Sequence, residues 1–243
     1  MTIKAVIFDL DGTLINFSLD IKSIRSEAIQ FLSGQGYPSN LFSLNESIFK
    51  TLDKLEVYLK SKDEKERGKF TEIKRTVMSI ADRYELKVNR TTSLMLGVLE
   101  TIRALRKTGL KTALFTIRGT KSTNHFLKRH NLNQIFDAVV TRDDVIAVKP
   151  DPAHLEMVLK ILDVRPSEAI VVGDSVSDIK CARKLGMIAV GVDTGLASPI
   201  ELTQAEATYL FSSITDLPTL IRQLKQSSEK IGYEMFSKKV LKG

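Results

Sequence analysis

Four short apolar runs, separated by helical patterns, narrow the folds open to this chain of 243 residues. They lie at 5–8, 110–116, 169–174 and 187–192, and the first, third and fourth are almost uninterrupted by polar residues. A strand with one wet face alternates apolar and polar side chains, whereas a strand of a parallel sheet covered on both faces reads as a continuous apolar run. Between these runs the apolar residues take up helical spacing: Val98, Leu99, Ile102 and Leu105, then Leu155, Val158, Leu159 and Leu162, then Ile179, Ala182 and Leu185. Gly109 and Gly186 supply stop signals after the first and last of these groups. Strand–helix alternation of this kind predicts an α/β fold with a Rossmann-like, doubly wound parallel sheet.

One stretch departs from that grammar. From Phe17 to Ser93 no buried-strand run occurs, and apolar residues recur at helical intervals: Ile21, Ile24, Ala28, Phe31 and Leu32, then Phe49, Leu52 and Leu55, then Ile73, Val77, Ile80, Ala81 and Tyr84. The expected organisation is therefore a core built from residues 1–16 and 94–224, an α-helical domain inserted at 17–93, and a basic C-terminal tail at 225–243. Hydrophobic residues at 43% and charged residues at 27% suit a globular protein with a full core. No apolar run approaches the roughly 18–20 residues that a membrane helix needs, so no membrane partner is expected. The first strand begins at once, leaving no room for a signal peptide, and the lone Cys181 has no disulfide partner. Both point to the cytoplasm. The net charge of +7 sits partly in the tail, and no nucleic-acid motif or basic–aromatic pattern accompanies it. Nucleic acid is not an expected partner.

Four separated pieces carry chemistry, each where it can reach the carboxyl edge of the sheet, the usual place for ligands in such folds. Asp9 and Asp11 follow the first run. Side chains at i and i+2 of an extended segment point the same way, and two close carboxylates repel unless a cation or a shared proton lies between them. Thr116 ends the second run and offers a hydroxyl to a phosphate oxygen. Lys149 precedes a proline and offers a cation. Asp174 ends the third run, where it can reach a metal, and Asp178 lies four residues on, where Ser175 and Asp178 also match a helix capping box. The three histidines, His125, His130 and His154, are scattered and form no ligand cluster; packed or solvated roles are expected for them.

In this order, on these strand ends, the pieces resemble the haloacid dehalogenase-like hydrolase superfamily over nearly the whole chain. The run Asp9-Leu10-Asp11-Gly12-Thr13 looks like its first motif, Thr116 its second, Lys149 its third, and Gly173-Asp174-Ser175-x-x-Asp178 its fourth. The helical insert resembles the cap of phosphoglycolate phosphatase-like members. The resemblance implies a phosphatase acting on a small phosphorylated metabolite, with Asp9 as nucleophile and Asp11 as proton donor and acceptor. It implies Mg²⁺ held by Asp9, the backbone carbonyl of Asp11 and Asp174, supported by Asp178. Thr116 and Lys149 would bind the phosphoryl group, and the cap would hinge near residues 16–17 and 93–94. An aspartate at position 11 fits phosphoryl chemistry rather than dehalogenation. One departure stands out: many phosphoglycolate phosphatase-like members carry Asn after the second-motif hydroxyl, but here Ile117 follows, then Arg118. Arg118 is read two ways, as a cation for the substrate or as an exposed side chain. The alternatives to a phosphatase are a phosphotransferase or phosphomutase using the same aspartyl-phosphate, and a non-catalytic phosphate-binding module. Nothing in the sequence selects one phosphomonoester or an oligomeric state.

Overall fold

The computed structural model describes residues 2–62 and 64–226. Six strands form one all-parallel sheet: β1 (Ala5–Phe8), β2 (Lys111–Phe115), β3 (Ala138–Val140), β4 (Ala169–Gly173), β5 (Ile188–Val192) and β6 (Tyr209–Phe211), in the order β3-β2-β1-β4-β5-β6. The chain runs outward from β1 to β3, crosses back to β4, and runs outward again to β6. The order therefore reverses between β1 and β4, where a doubly wound sheet opens a crevice beyond its strand ends. In register, Phe8 lies beside Leu114 on one side and Val172 on the other. Asp9 and Asp174 thus leave adjacent strands at the same edge.

Nine α-helices lie complete within the described residues. The inserted segment supplies α1 (Ile21–Gly34), α2 (Ile48–Lys60), α3 (Glu64–Gly68) and α4 (Phe70–Val88); the sheet-bearing part supplies α5 (Val98–Lys107), α6 (Thr120–Arg129), α7 (Ala153–Leu162), α8 (Val176–Lys184) and α9 (Pro199–Gln204). A further helical stretch begins at residue 217 and is described as far as 226. Most of the expected basic tail, 225–243, lies outside the described residues.

Alternate side chains of each strand go to opposite faces of the sheet, and both faces are covered. Val6 and Phe8 join Ile102, Leu105, Phe126, Leu127, Leu217 and Leu220 in one apolar cluster. Ala5 and Ile7 join Leu155, Val158, Ile179, Ala182 and Leu202 in another. Two layers of helix over one sheet explain why the central strands carry no polar side chain. The two outer strands, β3 and β6, are only three residues long; their sequences carry too short an apolar run to stand out, and neither was anticipated.

The segment Ser18–Thr91 forms a compact unit of its own, and the chain on either side of it forms the other. The helical unit has a separate core of Ile24, Ala28 and Leu32 from α1, Leu52, Leu55 and Leu59 from α2, and Ile73, Val77, Ile80 and Ala81 from α4. Within the sheet-bearing unit, Ile15 bridges to Leu94, and the Leu14 carbonyl accepts from the Met95 N–H at 3.0 Å. The chain is thereby closed on itself at the base of the insertion, so each unit keeps an independent core. No helix among the described residues is long and apolar enough to cross a membrane.

Candidate active site

The carboxyl ends of β1 and β4 bring three carboxylates together. Asp9, Asp174 and Asp178 are all buried, and one oxygen from each lies within 4.8 Å of the others. Lys149 enters from the loop before α7. Its ammonium pairs with Asp9 Oδ1 and, at 2.6 Å, with Asp178 Oδ1, while standing 4.3 Å from the centre of the Phe115 ring. The Lys149 backbone N–H donates to Nδ1 of the wholly buried His154 at 3.4 Å, and the other ring nitrogen of His154 faces the Val140 carbonyl. Burial, with Lys149 adding, holds the His154 pKa down at about 4, so the ring is neutral and accepts from the lysine loop.

Local chemistry sets each side chain. Asp178 is the third residue of α8, and Ser175 caps that helix: its hydroxyl accepts from the Asp178 N–H and donates to Asp178 Oδ2 at 2.6 Å. The same carboxylate thus caps a helix with one oxygen and binds Lys149 with the other; the structural and the chemical readings of this residue are both realised. Asp174 accepts the Leu196 N–H at 2.7 Å on Oδ2 and the Thr13 hydroxyl at 3.3 Å on Oδ1. Two glycines make room for it. A Cβ on Gly12 would lie 2.2 Å from Asp174 Oδ2, and one on Gly195 only 1.8 Å. Gly12 also sits at φ +83°, which side-chain-bearing residues rarely adopt. Thr116 is wholly buried just past β2, its N–H donating to Val140 and its Oγ1 accepting from the Arg118 N–H at 3.2 Å.

Three carboxylates against one ammonium leave two uncompensated negative charges. Burial is the largest influence on Asp9 and pushes its pKa well above the usual carboxylate value; Lys149 opposes this, while Asp178, Asp174 and Asp11 add to it. Burial and then Asp178 push Asp174 up to about 6. Burial alone would lower Lys149, but Asp178 and Asp9 outweigh it and hold the ammonium above its usual range. A buried site with a formal excess charge of −2 when all three carboxylates are ionised, built from oxygen donors with no thiolate or imidazole among the three, has the chemistry of a hard divalent cation site.

The ligands expected from sequence were Asp9, the backbone carbonyl of Asp11 and Asp174, with Asp178 in support, and the cluster overlaps that set. Asp178 stands within it, whereas the Asp11 side chain is turned to Arg118: Nε donates to Asp11 Oδ2 and Nη2 to Oδ1, both at 2.6 Å. Only the Asp11 backbone carbonyl was expected to face a metal. Arg118 was expected to serve the substrate or to be exposed. The exposed reading is corrected: its side chain has no accessible surface, and its charge goes to a carboxylate 107 residues earlier. Gly195 and Phe115 also shape the site and were not singled out beforehand; Gly12 and Thr13 were read as part of the first motif and His154 as packed or solvated, without their approach to Asp174 or Lys149. Gly195, in the loop after β5, carried a signal of its own, since a glycine beside a strand end often marks a close approach.

Comparison with known proteins agrees with this geometry. Residues 6–192 match the model of a family described as haloacid dehalogenase-like hydrolase. The chain belongs to that family. It is therefore an enzyme of the hydrolase class on a Rossmann-like core. Among curated relatives, the pyrophosphatase PpaX of Bacillus mycoides is 30% identical over 92% of this chain and 99% of its own length. The PpaX of Bacillus cereus is 29% identical over 93% of this chain and all of its own. Among solved structures, a hydrolase from Pseudomonas syringae aligns at TM-score 0.64 with 25% identity, covering 90% of this chain and 98% of that one. A predicted phosphoglycolate phosphatase from Haemophilus somnus aligns at TM-score 0.62 with 23% identity, covering 90% and 97%, and speaks for the fold alone.

Proposed function

We propose that this haloacid dehalogenase-like hydrolase is a Mg²⁺-dependent phosphatase that hydrolyses a small phosphorylated metabolite through a phospho-Asp9 intermediate. The observation that carries this reading is the buried Asp9–Asp174–Asp178 cluster with Lys149 in its midst and Asp11 two residues from the nucleophile. The relatives named pyrophosphatase support cleavage of a phosphate bond.

In the first half-reaction an Asp9 carboxylate oxygen attacks phosphorus. The bond from phosphorus to the leaving oxygen breaks, and that oxygen takes a proton from Asp11. In the second, water attacks the phosphoryl group, Asp11 takes its proton, and the bond to Asp9 breaks to release inorganic phosphate. Lys149 and the Thr116 hydroxyl hold the phosphoryl oxygens. Asp9, Asp174 and the Asp11 carbonyl would hold Mg²⁺, with Asp178 supporting them; bound there, the ion supplies positive charge opposite the phosphoryl oxygens. The helical unit 18–91 takes the substrate-selecting role of a cap. The cytoplasm is the compartment in which a lone buried thiol fits best.

The test measures inorganic phosphate released from p-nitrophenyl phosphate, a panel of phosphorylated metabolites and pyrophosphate, with Mg²⁺ or with EDTA, for the wild type and Asp9→Asn. Metal-dependent release that disappears in Asp9→Asn is the expected result. Isomerised sugar phosphate without free phosphate would instead make the enzyme a mutase, and absence of any metal-dependent turnover would remove the phosphatase reading.

A further inference from the structure

Arg118 heads the fully buried side chains of the described residues in volume, and it is a charged one. A buried guanidinium carries a desolvation cost that only a matched partner offsets. Its partner is Asp11, gripped side-on by two N–H donors, each at 2.6 Å from a different carboxylate oxygen. A planar fork fixes the rotation of a carboxylate about its last side-chain bond, which a point-charge ammonium does not.

The fork itself is anchored. The Arg118 N–H donates to Thr116 Oγ1 at 3.2 Å, its carbonyl accepts from the Arg142 N–H at 3.2 Å, and the adjacent Ile117 carbonyl accepts from Arg142 Nη1 at 2.9 Å. The two aspartates therefore have separate cations: Asp9 has Lys149, and Asp11 has Arg118. The Asp11 side chain keeps 10% of its surface accessible while Arg118 keeps none. The carboxyl can meet a substrate; the guanidinium behind it cannot. A carboxylate has about four lone-pair sites, so the fork leaves roughly two of them for exchange with a leaving oxygen or water.

We infer that Arg118 is a positioning residue that aims the Asp11 carboxyl at the leaving-group oxygen, and so sets how well the enzyme handles substrates whose leaving group needs a proton. This rests on the phosphatase reading above. Ile117-Arg118, standing where many phosphoglycolate phosphatase-like members begin with Asn, then has a purpose within this chain: the second-motif loop serves the acid–base residue as well as the phosphate.

The experiment compares kcat/KM, which reports formation of the phosphoenzyme and not its later hydrolysis, on an alkyl phosphate, which leaves as a poorly stabilised alkoxide, with kcat/KM on p-nitrophenyl phosphate, whose leaving group is stable as an anion. The enzymes are the wild type, Asp11→Asn, Arg118→Lys, Arg118→Met and the Asp11→Asn/Arg118→Lys double variant, each checked for fold by circular dichroism. Positioned proton transfer contributes about 10²–10⁴-fold, so Arg118→Met should lose about 10²-fold or more on the alkyl phosphate and only a few-fold on p-nitrophenyl phosphate. Arg118→Lys should recover part of the loss, and it carries the test if Arg118→Met does not fold. In the Asp11→Asn background Arg118→Lys should cost nothing further on the alkyl phosphate, because the residue acts through Asp11. Equal losses on both substrates, or a gain on the alkyl phosphate, would overturn the inference while leaving the phosphatase reading in place. A wild type without turnover on either substrate would overturn both.

Discussion

Replacing Asp174 by Asn separates what the site costs the fold from what it does for the reaction. Burial and then Asp178 push the Asp174 carboxyl up to about 6 from an ordinary 3.8. Each pH unit of displacement corresponds to about 1.4 kcal/mol, so at pH 7 the ionised side chain costs the metal-free fold about 3 kcal/mol. The folded chain binds this proton more tightly than the unfolded chain. The cost is therefore small near pH 4, about half its full size at pH 5, and complete above about pH 7. Asparagine is neutral and of the same shape, and its oxygen can still accept the Leu196 N–H now 2.7 Å from Oδ2. The net expectation at pH 7.5 in EDTA is a gain of about 3 kcal/mol, or a Tm higher by about 6–12 °C in a chain of this size. Thermal unfolding followed by circular dichroism in EDTA, at about pH 4 and about pH 7.5, reads this directly. Excess Mg²⁺ should then raise the Tm of the wild type and leave Asp174→Asn almost unmoved, since an ion stabilises only the fold that binds it. A lower Tm for the variant at pH 7.5 in EDTA, or a gain of equal size at pH 4, would refute the claim that the site is crowded with negative charge.

Three further perturbations address other parts of the site. Lys149→Met removes the cation shared by Asp9 and Asp178; breaking a buried pair in this way should cost about 3–5 kcal/mol in urea denaturation, and phosphate release should fall to background. Gly195→Ala puts a Cβ where Asp174 Oδ2 now lies, so about 1–3 kcal/mol of overpacking should appear in unfolding experiments, together with weaker Mg²⁺ binding by titration calorimetry; unchanged metal affinity would contradict the close approach. Ser175→Ala removes the α8 cap and should cost about 1 kcal/mol, with a lower kcat as well, because Asp178 loses the hydroxyl that holds the oxygen opposite Lys149.

The elements that were easiest to read are those whose environment is the same on both sides. β1, β4 and β5 are covered by helices on each face, which imposes unbroken apolar runs that stand out in a linear text. The helices of the insert were legible for a related reason: each buries one stripe, and a stripe on a helix has a period. β3 and β6 escaped because a three-residue edge strand leaves almost no pattern. Among site residues, Asp9, Asp11, Asp174 and Lys149 could be found because they sit at strand ends or in loops where a charge has no local structural reason; Asp178 was found by its spacing from Asp174, although it also completes a helix capping box. The partnership of Arg118 with Asp11 spans 107 residues, and no local spacing encodes it. The same holds for Thr13 and Leu196 on Asp174, and for His154 behind Lys149.

The linear order of residues determined that the doubly covered segments become strands, that the insert becomes helices, and where carboxylates leave the sheet, because burial on both faces, helical period and strand ends are local properties written in short windows. Tertiary structure alone decided which charge answers which. Lys149 answers Asp9 and Asp178, and Arg118 answers Asp11, since electrostatic pairing depends on distance in space, and it is the parallel order β2-β1-β4 that makes distant residues neighbours at one edge.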